Sequence, residues 1–147
     1  MGHDDGTVTY RSAGGVVIDE AGDHVLVLIR PARDEVRLPK GHIESEESLA
    51  ETALRETREE AGYQDLDILA DLGQQLVTFL YEGNRVRRTE HYYLMQVQSA
   101  ARMERPEHDA AQFYPVWVPW DEVQAHLTYE AEREWARRAQ RAWEQMT

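Results

Sequence analysis

The sequence predicts a single domain of the α/β or α+β class, because strand-like and helix-like patterns alternate along its 147 residues. A chain of this length can bury a hydrophobic core of ordinary size without dividing into two domains. No repeat, low-complexity stretch or linker separates one part from another. We therefore expect one domain over residues 1–147, with residues 1–6 frayed.

The first elements are expected to be two strands. Residues 7–18 alternate and then run apolar, and residues 25–30 form a short apolar run. The turn-forming residues 20–24 between them favour a β-hairpin. Gly14 and Gly15 would let neighbouring groups approach the first strand closely.

A helix follows and leads to more β structure. The expected later elements are strands over residues 66–72, 75–81, 86–97 and 113–118, a polar loop over 100–111, a short helix from 119 and a long helix over 129–146. The turn at residues 82–84 would join two of these strands in a hairpin. Pro115 places the last strand at an edge or a bulge.

The most informative stretch runs from Leu38 to Tyr63. A Pro-Lys-Gly turn and an acidic loop lead into an amphipathic helix that ends at Gly62, with Ser45 and Glu46 as its expected N-terminal residues. Its apolar face comprises Leu49, Ala50, Ala53, Leu54, Thr57 and Ala61.

Three glutamates fall together on an arc beside that apolar face: Glu56, Glu59 and Glu60. Glu60 projects at the edge of the apolar face, where a carboxylate loses solvation and is repelled by its like-charged neighbours. Such a cluster calls for a cation. Ligation by oxygen alone favours magnesium or manganese over zinc.

Composition excludes several classes of protein. The formal charge of −12 disfavours a nucleic-acid partner, and a polyphosphate substrate would need bridging cations. No apolar run approaches the roughly 20 residues that span a membrane, and the first residues do not resemble a signal peptide. The absence of cysteine rules out disulfides and Cys-based zinc sites, and it fits a cytoplasmic location.

Basic residues are concentrated just before the acidic helix, at Arg30, Arg33, Arg37 and Lys40. Lys40 is the only lysine among 16 basic residues, which suggests that a compact point charge is needed there. We expect Arg30 or Lys40 to contact phosphate and Arg33 to face solvent. Surface salt bridges with Asp34 and Glu35 are the alternative.

The Leu38–Tyr63 stretch resembles the Nudix box, G-x5-E-x7-R-E-U-x-E-E-x-G-U, where U is a bulky aliphatic residue. The matching residues are Gly41, Glu47, Arg55, Glu56, Glu59, Glu60 and Gly62. Thr57 and Tyr63 stand where aliphatic residues are usual. The resemblance implies an α/β/α sandwich, with a mixed sheet between the box helix and the C-terminal helix.

The resemblance also implies roles for individual residues. Metal ligands would be the carbonyl of Gly41 together with Glu56, Glu59 and Glu60, holding Mg²⁺ or Mn²⁺. These three glutamates would also be the catalytic residues, and the general base would be Glu59 or an acid from a distant loop. Glu47 and Arg55 would form a structural ion pair, and Glu107 and Asp109 are candidates for an additional acid.

Three further residues have two interpretations each. His42 would bond a phosphate oxygen or be an ordinary loop histidine. Glu90 would be an additional acid near the metal, or else a cross-strand partner of Arg87 or Arg88. Tyr92 would stack on a nucleobase, although core packing is the commoner fate of such a tyrosine.

The sequence Leu-Pro-Lys-Gly-His before the box is similar to that of enzymes that cut dinucleoside polyphosphates. The resemblance therefore implies a metal-dependent hydrolase that cleaves a phosphoanhydride bond in diadenosine tetraphosphate, hexaphosphate or a related compound. Nucleoside triphosphates (oxidised ones included), ADP-ribose and diphosphoinositol phosphates are alternative substrates. A non-catalytic nucleotide-binding module is the alternative of another class, although such modules usually lose the box acids.

Overall fold

The computed structural model describes residues 6–147 as one mixed sheet with helices on both of its faces. The strands are β1 (Thr7–Ile18), β2 (His24–Arg30), β3 (Glu35–Arg37), β4 (Lys40–His42), β5 (Leu66–Tyr81), β6 (Asn84–Val97) and β7 (Tyr114–Pro119). The helices are α1 (Leu49–Ala61), α2 (Glu107–Gln112), α3 (Val123–His126) and α4 (Glu130–Met146). The fraying predicted for residues 1–6 concerns a segment whose first five residues lie outside the described ones.

The sheet has the order β3-β2-β1-β6-β5, with β4 added to β1 and β7 added to β2. β1 and β6 pair in parallel, from Thr7 opposite Arg85 to Ile18 opposite Gln96, and the other pairings are antiparallel. The expected first hairpin forms, with Ile18 opposite Val25 next to its turn. The predicted mixed sheet is therefore confirmed.

Two hydrophobic cores lie on opposite faces of this sheet. Along β1, Val16 and Ile18 belong to the core that includes Trp135 of α4, whereas Ala13 and Val17 belong to the core that includes α1. Both faces are buried here, which explains why this part of β1 reads as a continuous apolar run rather than as an alternation. The predicted α/β/α layering is confirmed.

The two glycines of β1 bring the residues before α1 against the sheet. A Cβ on Gly14 would lie 2.3 Å from the carbonyl oxygen of Pro39, and the Gly15 amide donates to that same oxygen at 3.1 Å. The close approach predicted from these glycines is confirmed, and it fixes the position of β4 beside β1.

Some boundaries differ from expectation. The segments 66–72 and 75–81 form one continuous strand with irregular pairing near Gly73 (φ 87°) rather than two strands. Residues 107–112 form a helix where a loop was expected. Pro106 is compatible with this helix, because it precedes the first helical residue and removes no helical hydrogen bond. Between residues 6 and 147, no helix combines the length and apolar character needed to cross a bilayer.

Candidate active site

Helix α1 begins later than the sequence suggests. Its N-cap is Ser48, whose hydroxyl accepts from the Glu51 amide while the Glu51 carboxylate accepts from the Ser48 amide. This capping box is a stronger start signal than Ser45 or Glu46. The helix ends at Gly62 as predicted, with φ at 81°.

The carboxylate of Glu60 lies against the loop before the helix. Its Oε1 accepts from the Lys40 amide at 3.0 Å. Burial, followed by the negative charge of Glu56, raises the pKa of Glu60 to about 8. Glu60 is partly buried, as expected from its position at the edge of the apolar face.

Glu56 packs directly on Gly41. A Cβ at Gly41 would lie 2.0 Å from Glu56 Cδ, so any side chain there would occupy the space of the carboxylate. Burial raises the pKa of Glu56, and Arg55 opposes that effect. Gly41 is thus required by the close contact between the loop backbone and this acid.

Substituting Gly41→Ala tests this contact. We expect the protein to fold with little loss of stability, because the obstructed group is the flexible end of Glu56, and hydrolysis to fall about 100-fold as that carboxylate moves. Melting temperature and kcat/KM measure the two effects. In a Glu56→Gln background the substitution should cost little further activity, whereas a full additional loss would contradict the explanation.

Arg55 connects the loop to the acidic face of the helix. Its Nε and Nη2 donate to Glu47 at 2.6 and 3.0 Å, and Nη2 also donates to the His42 carbonyl at 3.2 Å. The hydrogen bonds from Arg55 to Glu47 lower the pKa of Glu47 to about 2. Nη1 reaches Glu56 at 3.2 Å and Glu59 at 3.3 Å. The structure thus forms the predicted Glu47–Arg55 ion pair and extends it to two box acids.

The carboxylate oxygens of Glu56 and Glu60 suit a hard cation. A bound divalent ion would offset the unfavourable free energy of burying these two negative charges. Over residues 6–147, no three acidic or histidine side chains are already grouped as a metal site. The expected trio is therefore not assembled, because Arg55 holds Glu59 and also contacts Glu56.

A cavity of about 240 Å³ opens beside Glu60. It is lined by cationic Arg30, Arg37 and Lys40, by acidic Glu60 and Asp109, by Gly41, Leu38 and His42, and by His108, Gln112 and Phe113 around α2. A larger cleft of about 520 Å³ at the β5–β6 turn is lined by Thr78, Phe79, Leu80, Arg85 and Arg87, without any carboxylate. The smaller cavity is therefore the one that combines acids with cations.

Lys40 contributes a half-buried cation to this cavity. Burial, followed by the positive charge of Arg37, lowers the pKa of its ammonium group. Within residues 6–147 the ammonium group makes no ion pair with a carboxylate. Arg30 is partly engaged by Glu35 at 3.8 Å, as in the salt-bridge alternative, and Arg33 faces solvent as expected.

Tyr92 and Glu90 do not have the roles in the site that were considered for them, because both pack against α4. Tyr92 is fully buried and stacks on Trp135, with ring centroids 4.7 Å apart, so no nucleobase reaches it. Glu90 is also fully buried, accepts from the indole of Trp135 at 2.9 Å and pairs with Arg88 on its own strand at 2.8 Å. Both belong to the packing of α4, and Glu90 is neither an acid of the cavity nor a cross-strand partner.

The two candidates for an additional acid separate. Asp109 lines the cavity, and its charge contributes to the raised pKa of Glu60. Glu107 is exposed in the first turn of α2 and does not line the cavity. Asp109 is thus the better placed of the two.

Several lining residues were not assigned a role from the sequence. Arg37 was visible only as one member of the basic group before the box. Gln112 and Phe113 had no signal, because α2, which ends at Gln112 and brings both residues to the cavity, was not expected. Arg30 lies over the ring of Phe113 at 5.5 Å, which gives this end of the cavity a planar apolar surface.

Comparisons with known proteins agree with this architecture. The C. elegans Ap4A hydrolase, solved as a binary complex, is similar with a TM-score of 0.69 and 21% identity, over 88% of this chain and 93% of that chain. A NUDIX hydrolase from Nitrosomonas europaea has a TM-score of 0.65 and 18% identity, over 88% and 87%. At these identities the likeness concerns the fold.

Two comparisons of sequence go further. The protein named mutator protein MutT4 in Mycobacterium tuberculosis is 38% identical over 135 residues, which are 86% of this chain and 53% of that protein. This chain thus spans about half the length of that relative. The NUDIX domain family model matches residues 9–139. With that match over most of its length, the chain belongs to the Nudix family.

Proposed function

We propose that the protein is a divalent-metal-dependent hydrolase that cleaves a phosphoanhydride bond, with a dinucleoside polyphosphate as its preferred substrate. One observation carries the proposal: a single cavity places the acids Glu60 and Asp109 beside the cations Arg30, Arg37 and Lys40. Phosphoryl transfer requires acidic side chains that bind metal ions and cationic side chains that bind phosphates.

Glu56 and Glu60 are the proposed main metal ligands, with the Gly41 backbone beside them and Glu59 within reach if it leaves Arg55. Bound Mg²⁺ or Mn²⁺ would supply Lewis acidity and charge neutralisation. The protein itself would hold Glu56 and Glu60 in place: Glu56 packs against Gly41, and Glu60 accepts a hydrogen bond from the Lys40 amide. Glu59 or Asp109 would take the proton of the attacking water.

Lys40, Arg30 and His42 are the proposed phosphate contacts. Lys40 offers a charge that no carboxylate of residues 6–147 pairs with. Burial, with the nearby charges of Lys40 and Arg88, lowers the pKa of His42. His42 would therefore contribute a hydrogen bond from a neutral ring at neutral pH rather than a charge.

A nucleoside could stack on Tyr10 instead of Tyr92. The ring of Tyr10 lies 4.4 Å from that of His42, which lines the cavity, and Arg88 donates to its hydroxyl at 3.3 Å. Both rings keep access to solvent. An aromatic pair at the border of a phosphate-binding cavity supports a nucleotide substrate.

Nucleoside triphosphates, oxidised ones included, are the second candidate. The mutator name of the 38% identical relative favours them, because replication errors involve the nucleotide precursors. The C. elegans neighbour is an Ap4A hydrolase, which favours a dinucleoside polyphosphate. A non-catalytic module is disfavoured because every box acid is present.

A substrate panel decides among these candidates. Diadenosine tetraphosphate and hexaphosphate, normal and oxidised nucleoside triphosphates, ADP-ribose and a diphosphoinositol phosphate would be incubated with magnesium, and the products identified by mass spectrometry. We expect the highest kcat/KM for a dinucleoside polyphosphate, cleaved within its phosphate chain. Preference for a triphosphate would select the second candidate. If no member of the panel is cleaved, the proposal that the protein is a hydrolase is wrong.

Replacing Lys40 tests the phosphate contact. Lys40→Met keeps much of the side-chain stem but removes the charge, so KM for long phosphate chains should rise about tenfold, as expected for a lost hydrogen bond to a charged group. KM for short chains should change less. Arg33→Met, at an exposed position, is the control. An equal effect on all chain lengths would remove the reason for placing Lys40 on a distal phosphate.

A further inference from the structure

One buried acid of the C-terminal helix has no role so far. Glu132 lies in the first turn of α4, and only 2% of it is exposed. Its Oε2 is 2.8 Å from both Nε and Nη2 of Arg37, and its Oε1 accepts from the Leu38 amide at 2.7 Å. This single side chain therefore contacts two consecutive residues of the loop that leads to the box.

Burying this carboxylate is not the simplest way to pack α4 on the sheet. Taking two opposite charges out of water costs about as much as their attraction returns, and well-packed apolar residues often stabilise such a position equally well. The stability of the fold alone is therefore a weak reason for the Glu132–Arg37 pair.

The partners of Glu132 lead directly to the cavity. Arg37 lines it, and the next residues are each tied to a different element: the Pro39 carbonyl to the Gly15 amide at 3.1 Å and the Lys40 amide to Glu60 at 3.0 Å. Glu132 supplies the corresponding tie for Leu38. The loop is thus held by β1, α1 and α4 together.

Glu132 is the closest of three groups that hold the Arg37 guanidinium, at 2.8 Å. Arg37 is further placed by Glu35 at 3.4 Å and by the ring of Tyr129, 4.7 Å from the guanidinium carbon. Without Glu132, Arg37 would lose its closest anchor.

We propose that Glu132 is a positioning residue for phosphate binding: it orients Arg37 toward the cavity and holds the Leu38–Lys40 backbone in place. The inference rests on the proposed phosphoanhydride chemistry of this cavity. Glu132 acts through Arg37 and the loop and does not contact the substrate itself.

The variant Glu132→Gln separates positioning from packing. It keeps a carbonyl oxygen for the Leu38 amide but removes the charge that anchors Arg37. We expect kcat/KM of the folded protein to fall about 10- to 100-fold, the loss typical of small misplacements away from the reacting atoms. Glu130→Gln, exposed on the same helix and paired with Arg137, is the matched control and should leave kcat/KM unchanged.

Kinetics are measured well below the melting temperature of each variant, so that a loss of stability does not mimic a loss of activity. In a double-mutant cycle, adding Glu132→Gln to Arg37→Gln should cost much less than it does alone. A lower melting temperature with unchanged kcat/KM would reduce Glu132 to a structural residue and overturn the proposal. Full additivity would overturn its route through Arg37.

Calorimetry with inorganic triphosphate, without metal, gives a readout that does not depend on turnover. Wild-type protein should bind triphosphate at least tenfold more tightly than Glu132→Gln. Equal affinities, or no binding by the wild type, would overturn the inference even if hydrolysis is observed. If no compound in the substrate panel is cleaved, the proposed function is wrong. The calorimetric titration with triphosphate would still test the role of Glu132 in phosphate binding.

Discussion

Glu60→Gln should abolish hydrolysis, with kcat falling about a thousandfold or more. Losing this proposed metal ligand should remove several kcal/mol of charge stabilisation from the transition state, and each 1.36 kcal/mol is a factor of ten. The folded structure should persist, because the amide keeps an acceptor for the Lys40 amide. Initial rates with saturating magnesium measure the effect. Glu46→Gln, in the exposed loop before α1, is the control for lost charge alone.

The same variant has a signature in stability. An ordinary glutamate titrates near 4.5, and burial raises the pKa of Glu60 to about 8. Between these values the metal-free folded protein holds a proton that the unfolded chain releases. The free energy of unfolding should therefore fall as pH rises from 4.5 to 8. Glu60→Gln should flatten this part of the profile.

Magnesium should reverse that pH effect in the wild type. Added at pH 8, it should raise the melting temperature of the wild type and of Glu46→Gln but not that of Glu60→Gln. An equal rise in all three proteins would place the metal elsewhere. Retained hydrolysis by Glu60→Gln would contradict the role of this acid directly.

Trp135→Ala should have the largest effect on stability. Trp135 is fully buried, stacks on Tyr92 and donates to the buried Glu90. Truncating a buried tryptophan costs about 3–5 kcal/mol, and Glu90 would also lose a hydrogen bond. That is a large fraction of the stability of an ordinary domain. Denaturant unfolding followed by circular dichroism gives the change in free energy of unfolding.

Two variants separate the parts of this effect. Trp135→Phe keeps a ring on Tyr92 but removes the indole donor, so its loss should be smaller and come mainly from Glu90. Trp143→Ala, at a half-buried position of the same helix, controls for the loss of a tryptophan. If Trp135→Ala costs no more than Trp143→Ala, the stacked pair is not the centre of this core.

The elements of the fold were predictable where their signals are local. The run of apolar residues in β1, the periodicity of α1 and the glycine at its end each depend on residues close in sequence. Glu60 could be placed at the edge of the apolar face from its position on the helix alone. The short strand β4 and helix α2 lacked such signals, because tertiary contacts determine them.

The errors in the site have one physical origin. The alternation along β6 assigns Glu90 and Tyr92 to one face, but it does not tell which helix covers that face or that Trp135 occupies it. The anchoring of Arg37 depends on Glu132, 95 residues further along the chain. Contacts at such separations leave no pattern in a single sequence.

The parallel pairing of β1 with β6 has a consequence for how this protein is made. β1 emerges from the ribosome long before its neighbour β6, so the edge of β1 that pairs with β6 stays unpaired while the intervening residues are translated. Pairing over such a distance closes a long loop, and folding dominated by such contacts is slow. Because Glu132 lies 95 residues after Arg37, Arg37 gains this anchor only after all of those residues have been translated.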